Sequence, residues 1–118
     1  MVSLSEETPS EPCDAYPEEL DVAVALERFH AATIVPRARP SATWAGLRTF
    51  AADRLPVVGF DPEAEGFFWY AGQGGTGIQT SPEHSALAAK LVLGQEPDAA
   101  EREIAAAFRC DRPLPAWP

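Results

Sequence analysis

The chain has 118 residues, 46% of them hydrophobic, which suits one modest folded domain and excludes a disordered segment. Its 18 acidic residues outnumber its 9 basic ones and give a formal net charge of −9, which disfavours a nucleic-acid partner because phosphate backbones are repelled. No run approaches the roughly 20 apolar residues of a membrane span. Residues 1–14 also lack a secretion signal. From these two observations we expect a cytoplasmic protein without a membrane span.

The first half of the chain indicates a strand, a helix and a second strand. Residues 2–5 alternate between apolar and polar, which predicts a short strand. Residues 18–31 follow Pro17 and carry an apolar stripe, which predicts a helix. Residues 41–50 alternate again and predict a strand.

The second half predicts a hairpin followed by two helices. Strands are expected over residues 57–60 and 67–71, with a turn between them. An apolar helix follows and ends before Gly94. Its start has two interpretations: Ser81 is the N-cap, or the helix begins near Ile78 and tolerates Pro82.

A last helix is predicted from the capping-box spacing of Asp98 and Glu101, and it should extend to about Phe108.

The two cysteines, Cys13 and Cys110, lie far apart and match no metal-binding spacing. We therefore predict no metal site and favour two reduced thiols, with a disulfide as the alternative.

Four glycines lie within the six residues of Gly72–Gly77, between the second hairpin strand and the following helix. Glycines let backbone N–H groups approach a ligand, and a helix start attracts anions, so this loop is a candidate cofactor seat. The spacing also satisfies the dinucleotide fingerprint G-x-G-x-x-G, but no second strand follows the helix. The structural alternative is a turn that only lets a strand and a helix pack closely.

Four motifs occur in a fixed order: WAGLR at Trp44–Arg48, DRLPVVG at Asp53–Gly59, GFF at Gly66–Phe68 and GQGGTGI at Gly72–Ile78. Together they resemble the C-terminal portion of FAD-dependent oxidoreductases of the D-amino-acid oxidase and glycine oxidase family. The resemblance covers roughly residues 2–94.

The resemblance implies an α+β fold: a C-terminal fragment of a two-domain flavoprotein, with part of the substrate-domain sheet and the returning strand, glycine loop and helix of the FAD domain. It implies three regions. Residues 1–65 would be the tail of the substrate-binding domain, and residues 66–94 the strand, flavin-contacting loop and helix. Residues 95–118 would form the last helix and an irregular tail.

The resemblance also assigns roles to residues. Arg48 would pair with the carboxylate of a small amino-acid or amine substrate, a role that suits a planar guanidinium. The candidate FAD-binding residues are Gly74, Gly75, Gly77, Ile78 and Thr80. The implied reaction is oxidation of a C–N bond by hydride transfer to flavin, with no certain catalytic acid or base among the residues.

Family members bind the ADP half of FAD through an N-terminal βαβ unit, and the sequence ahead of Arg48 does not resemble one. We therefore expect a fragment that is inactive alone, with weak or absent FAD binding, and a separate N-terminal half as a partner. The alternatives are a non-catalytic interaction module that retains the fold and a small nucleotide-binding domain. Departures from the family pattern at Thr49, Gln73 and Thr76 leave the substrate unidentified.

Overall fold

The computed structural model describes residues 1–37 and 39–116. It contains three helices and one two-stranded antiparallel sheet, which makes the chain α+β. In chain order the elements are α1 (Glu19–Ala32), β1 (Val57–Phe60), β2 (Phe68–Ala71), α2 (Gly77–Val92) and α3 (Ala99–Ala107). The chain divides into two compact units, Met1–Leu47 and Arg48–Pro118. The domain limits expected at residues 65 and 94 stay predictions.

The first unit contains α1, which begins one residue after the predicted start. Glu19 and Asp21 lie in its first turn, where their negative charges stabilise the positive end of the helix dipole. The strand predicted over residues 2–5 was wrong, because that segment pairs with no strand and Ser5 has φ of +55°.

The strand predicted over residues 41–50 was also wrong. Alternation of side chains suits a strand, but the ladder also requires a neighbouring strand, and within the described part of the chain β1 and β2 pair only with each other. Trp44 is 68% exposed, so its large ring does not anchor the segment in a core.

The second unit is built on the hairpin of β1 and β2. Its register pairs Val58 with Tyr70 and Phe60 with Phe68, and the two phenylalanine rings meet edge to face at 5.0 Å. Asp61 organises the connecting loop, since its carboxylate accepts hydrogen bonds from two loop amides and from Trp69 Nε1 at 2.8 Å. These hydrogen bonds, with that from Trp69 first, lower the pKa of Asp61.

The small core of this unit lies where α2 packs on β1, and its most buried side chains are Val58 and Leu87. The segment after α3 also reaches β1, because the Val58 N–H donates to the Phe108 carbonyl at 2.9 Å. This hydrogen bond ties the C-terminal end of α3 to the hairpin.

Of the two interpretations of the start of α2, the earlier one is confirmed. The helix begins at Gly77 and contains Pro82. Pro82 has no N–H to offer the Ile78 carbonyl, and the Ser81 hydroxyl donates to that carbonyl instead at 3.1 Å. A start at Ser81 was therefore wrong.

Both predicted helix-end signals are confirmed. Gly94 has φ of +65° and follows the C-cap of α2, where its N–H donates to the Leu91 carbonyl at 3.2 Å. Asp98 and Glu101 form the reciprocal capping box of α3. The helix ends at Ala107, with Phe108 as its C-cap. Among residues 1–37 and 39–116, no helix is both long and apolar enough to cross a membrane.

Candidate functional site

The glycine loop connects β2 to α2 and lies against the segment of residues 48–50. Gly74 has φ of +54°, a conformation that glycine adopts without strain, and its N–H donates to the Thr49 carbonyl at 3.0 Å. A Cβ atom at Gly74 would stand 2.5 Å from Cε1 of Phe50, closer than side chains approach. Only glycine therefore fits here without displacing the phenyl ring.

Gly75 makes the second close approach, to the candidate carboxylate-binding arginine. A Cβ atom at Gly75 would stand 2.7 Å from Nη1 of Arg48. The absence of that atom lets the guanidinium lie directly against the loop backbone. Gly75 itself is exposed, so this part of the loop faces outward.

Two guanidinium groups flank one aromatic ring at this site. The Cζ atom of Arg48 lies 5.5 Å from the centroid of the Phe50 ring, and that of Arg54 lies 4.9 Å from it. Both distances allow an attractive cation–π interaction. The Phe50 ring therefore contacts both guanidinium groups beside the glycine loop.

The start of α2 adds a third source of positive potential. Thr76 is the N-cap, but its side chain makes no capping hydrogen bond, and the first turn contains no acidic residue. The first backbone N–H groups of a helix have no acceptor within the helix, so this end carries partial positive charge. An anionic or electron-rich group would be stabilised here.

The structure brings three of the predicted site residues together: Arg48, Gly74 and Gly75. Gly77 is the first residue of α2, and the Ile78 residue beside it is 96% exposed. Thr80 lies further along, where its hydroxyl donates to the Thr76 carbonyl at 3.0 Å. That hydroxyl hydrogen is used within the helix, which leaves the oxygen only as an acceptor. The cofactor and substrate roles of these residues stay predictions.

Gln73, which departs from the family pattern, connects the loop to the body of α2. Its Oε1 atom lies 3.4 Å from Nδ1 of His84, whose ring meets that of Phe108 edge to face at 5.1 Å. A Cβ atom at Gly77 would stand 3.0 Å from Cβ of Gln73, so this side of the loop is also tightly packed.

The ion pair between Asp53 and Arg112 was not predicted from the sequence. Arg112 Nε donates to Asp53 Oδ2 at 2.6 Å and Nη2 donates to Asp53 Oδ1 at 2.9 Å, with only 9% and 18% of the two side chains exposed. This arrangement is the bidentate form of the pair. Hydrogen bonding from Arg112 lowers the pKa of Asp53 to about 2. Arg112 lies in the tail that was expected to be irregular, and no motif in the sequence indicates this contact.

A cavity of about 270 Å³ is formed by the Phe50 segment, the hairpin and Cys110. Its lining is mostly apolar and comprises Thr49, Phe50, Ala51, Val57, Trp69, Ala71, Gly72 and Cys110. Both Cys13 and Cys110 are free thiols in the structure. Phe50 contributes to this cavity as well as to the packing against Gly74.

Comparison with known protein families agrees with the geometry. Residues 8–91 match the family of FAD dependent oxidoreductases, a span that covers more than half of the chain and all of the glycine loop. The chain therefore belongs to the FAD-dependent oxidoreductase family. The resemblance found in the sequence is confirmed at this level.

Proposed function

We propose that this chain supplies the flavin-facing loop and the carboxylate-binding arginine of a D-amino-acid or glycine oxidase-like enzyme. Such an enzyme oxidises the C–N bond of a small amino acid or amine. The observation that carries this proposal is the position of Arg48 against Gly75, just before the start of α2. That position combines a bidentate carboxylate ligand with a helix end that attracts electron-rich groups.

The residues present fit FAD in two respects. Gly75 is exposed, so a flat ring system can approach its backbone. The start of α2 has neither an acidic residue nor a side-chain cap that would compete for its positive end. Gly75, Gly77 and Ile78 would hold the ring edge through backbone N–H groups, whereas Gly74, whose N–H already donates to the Thr49 carbonyl, would shape the loop. When bound, FAD supplies an acceptor for the substrate hydride.

The residues of this chain would act mainly by orientation. Arg48 would fix the substrate carboxylate through two parallel hydrogen bonds, which sets the direction of the reacting C–H bond. Loss of a hydride from carbon and a proton from nitrogen gives an imine, and water converts this imine to a keto acid and ammonia. A neutral substrate amine needs no protein base for this step. The positive end of α2 would stabilise negative charge that develops nearby.

The ADP half of FAD needs a separate site. Within residues 1–37 and 39–116, β1 and β2 are antiparallel and α3 follows α2 without an intervening strand. This part of the chain therefore contains no βαβ unit, which disfavours a self-contained nucleotide-binding domain. We propose that a βαβ unit outside residues 1–118, such as a separate N-terminal half, binds the ADP group.

Flavin retention tests the proposal. The chain is expressed alone and together with a candidate βαβ half, and flavin absorbance is measured after gel filtration with added FAD. We expect a colourless chain alone and a yellow complex when both halves are present. Tight stoichiometric FAD binding by the chain alone would contradict the divided site. Failure of every βαβ half of this family to restore binding would contradict the flavin role.

A further inference from the structure

We propose that Arg112 is a positioning residue for the Arg48 and glycine-loop site. It would hold the turn of residues 51–55 so that Phe50 and Arg48 lie against Gly74 and Gly75. The functional meaning of this role rests on the proposed function, because that site is the one positioned. Arg112 lies outside residues 8–91, so the family match does not assign it a role.

The contacts of Arg112 are those of a structural clamp. Besides its two bonds to Asp53, its Nη2 atom donates to the Leu55 carbonyl at 3.0 Å and its Nη1 atom donates to the Arg109 carbonyl at 2.8 Å. Three N–H-bearing nitrogens thus bind four acceptors on two chain segments. This planar fork cannot be reproduced by lysine.

The Asp53–Arg112 pair is more buried than the neighbouring Arg109–Asp111 pair. The side chain of Arg112 is 9% exposed, whereas that of Arg109, which pairs with Asp111, is 63% exposed. Exposed ion pairs contribute little to structure because water and salt screen them. Breaking a buried pair leaves a desolvated charge, so the segments that it joins are held firmly together.

The turn of residues 51–55 contacts the site through Arg54 and Phe50. Asp53 Oδ1 also accepts the Leu55 N–H at 3.1 Å, and the Arg54 N–H donates to the Ala51 carbonyl at 2.8 Å. Arg54 has φ of +64°, a left-handed conformation that a non-glycine residue keeps only when its surroundings enforce it. Its guanidinium then lies over Phe50, whose ring occupies the space beside Gly74.

The experiment compares Arg112→Gln with Arg109→Gln, a matched control that removes the same charge from the same segment. Amide NMR spectra of the 118-residue chain report the signals of Gly74 and Gly75, and hydrogen exchange reports the Gly74 N–H. Urea unfolding gives the global stability of each variant.

We expect Arg112→Gln to shift both glycine signals. It should also raise the hydrogen-exchange rate of the Gly74 N–H roughly tenfold more than the loss of global stability accounts for. This is the fold-change that corresponds to one lost charge-assisted hydrogen bond. Arg109→Gln should leave both glycine signals in place. Arg112→Lys should not restore the wild-type spectrum, because it retains the charge without the planar fork.

Unchanged glycine signals in Arg112→Gln, or equal shifts in both glutamine variants, would overturn the proposal. If Arg112→Gln fails to fold, Asp53→Asn breaks the same pair from the other side and is read by the same criteria. No ligand is used in these measurements. Their failure is therefore distinguishable from failure of the proposed function, which flavin retention reports.

Discussion

The guanidinium of Arg48 occupies the space that a side chain at Gly75 would need, since a Cβ atom there would stand 2.7 Å from Nη1. This relationship joins two motifs that are far apart in the sequence. It places a permanent cation beside the start of α2, whose first turn contains no acidic residue. The site thus combines two positive contributions that would act on different parts of a bound anion.

Gly75→Ala should displace Arg48 with little loss of stability. The φ of Gly75 is not positive, and the atom that the new Cβ would meet is at the flexible end of a side chain. We expect the free energy of unfolding to change by about 0.5 kcal/mol or less. In the flavin-loaded complex with a βαβ half, carboxylate affinity should fall by about tenfold, measured by titration of the flavin absorbance. Gly46→Ala is the control, because nothing lies within 4 Å of its added Cβ. Wild-type carboxylate affinity in Gly75→Ala would argue against the proposed position of the carboxylate.

Arg48→Ala should weaken carboxylate binding far more than flavin binding. Loss of a charge-assisted hydrogen-bonded pair costs about 1.5–3 kcal/mol, whereas flavin is proposed to contact mainly backbone groups. The two affinities are measured on the complex of the chain with a βαβ half, by titration of its flavin-loaded form with substrate and of its flavin-free form with FAD. Arg48→Lys serves as the comparison, since it keeps the charge but loses the bidentate geometry. Equal loss of both affinities in Arg48→Ala would contradict a carboxylate role.

The signals that predicted the fold correctly were local in the chain. The helix α1, the hairpin, the Gly94 helix end and the Asp98 capping box each depend on residues a few positions apart. The strand predicted over residues 41–50 depended on a distant pairing partner, which alternation of side chains cannot reveal.

The same distinction applies to the candidate site. The motif resemblance placed Arg48 and the glycine loop in one site, and the structure brings Arg48 against Gly75. The Asp53–Arg112 pair was missed because it joins residues 59 positions apart. Neither residue type is unusual in a turn or tail, so only the folded chain shows that the two side chains meet and are buried.

Gly74→Ala should be markedly destabilising, in contrast to Gly75→Ala. An alanine would adopt the left-handed conformation at a cost of about 1–2 kcal/mol, and its Cβ would meet the Phe50 ring at 2.5 Å. Overpacking of this kind adds roughly 1–3 kcal/mol. Urea unfolding followed by circular dichroism measures the effect. Gly94→Ala provides the control, because it has φ of +65° with nothing within 4 Å, and it should show only the conformational cost. Equal destabilisation by the two substitutions would mean that the Phe50 contact is not tight in solution.

Asp53→Asn should destabilise the protein at neutral pH and have progressively less effect in acid. Pairing with Arg112 lowers the pKa of Asp53 from 3.8 to about 2 in the folded chain. A carboxyl whose folded pKa lies below its unfolded pKa stabilises the fold above the unfolded value, and this contribution is lost as the pH falls through the folded value. The difference in unfolding free energy between wild type and Asp53→Asn should thus be constant from about pH 7 to 5 and shrink between about pH 4 and 2.

Urea unfolding of both proteins across this pH range measures that difference, and its shape isolates Asp53 from the other acidic residues that both proteins share. Asp111→Asn is the control, because the Asp111 pKa is also lowered, by Arg109, but in a more exposed pair. Its stability difference should follow the same direction with a smaller amplitude, since water screens the charges. A difference for Asp53→Asn that does not change with pH would show that the carboxylate charge is not what holds Arg112, and that the turn behind the glycine loop is held by other contacts.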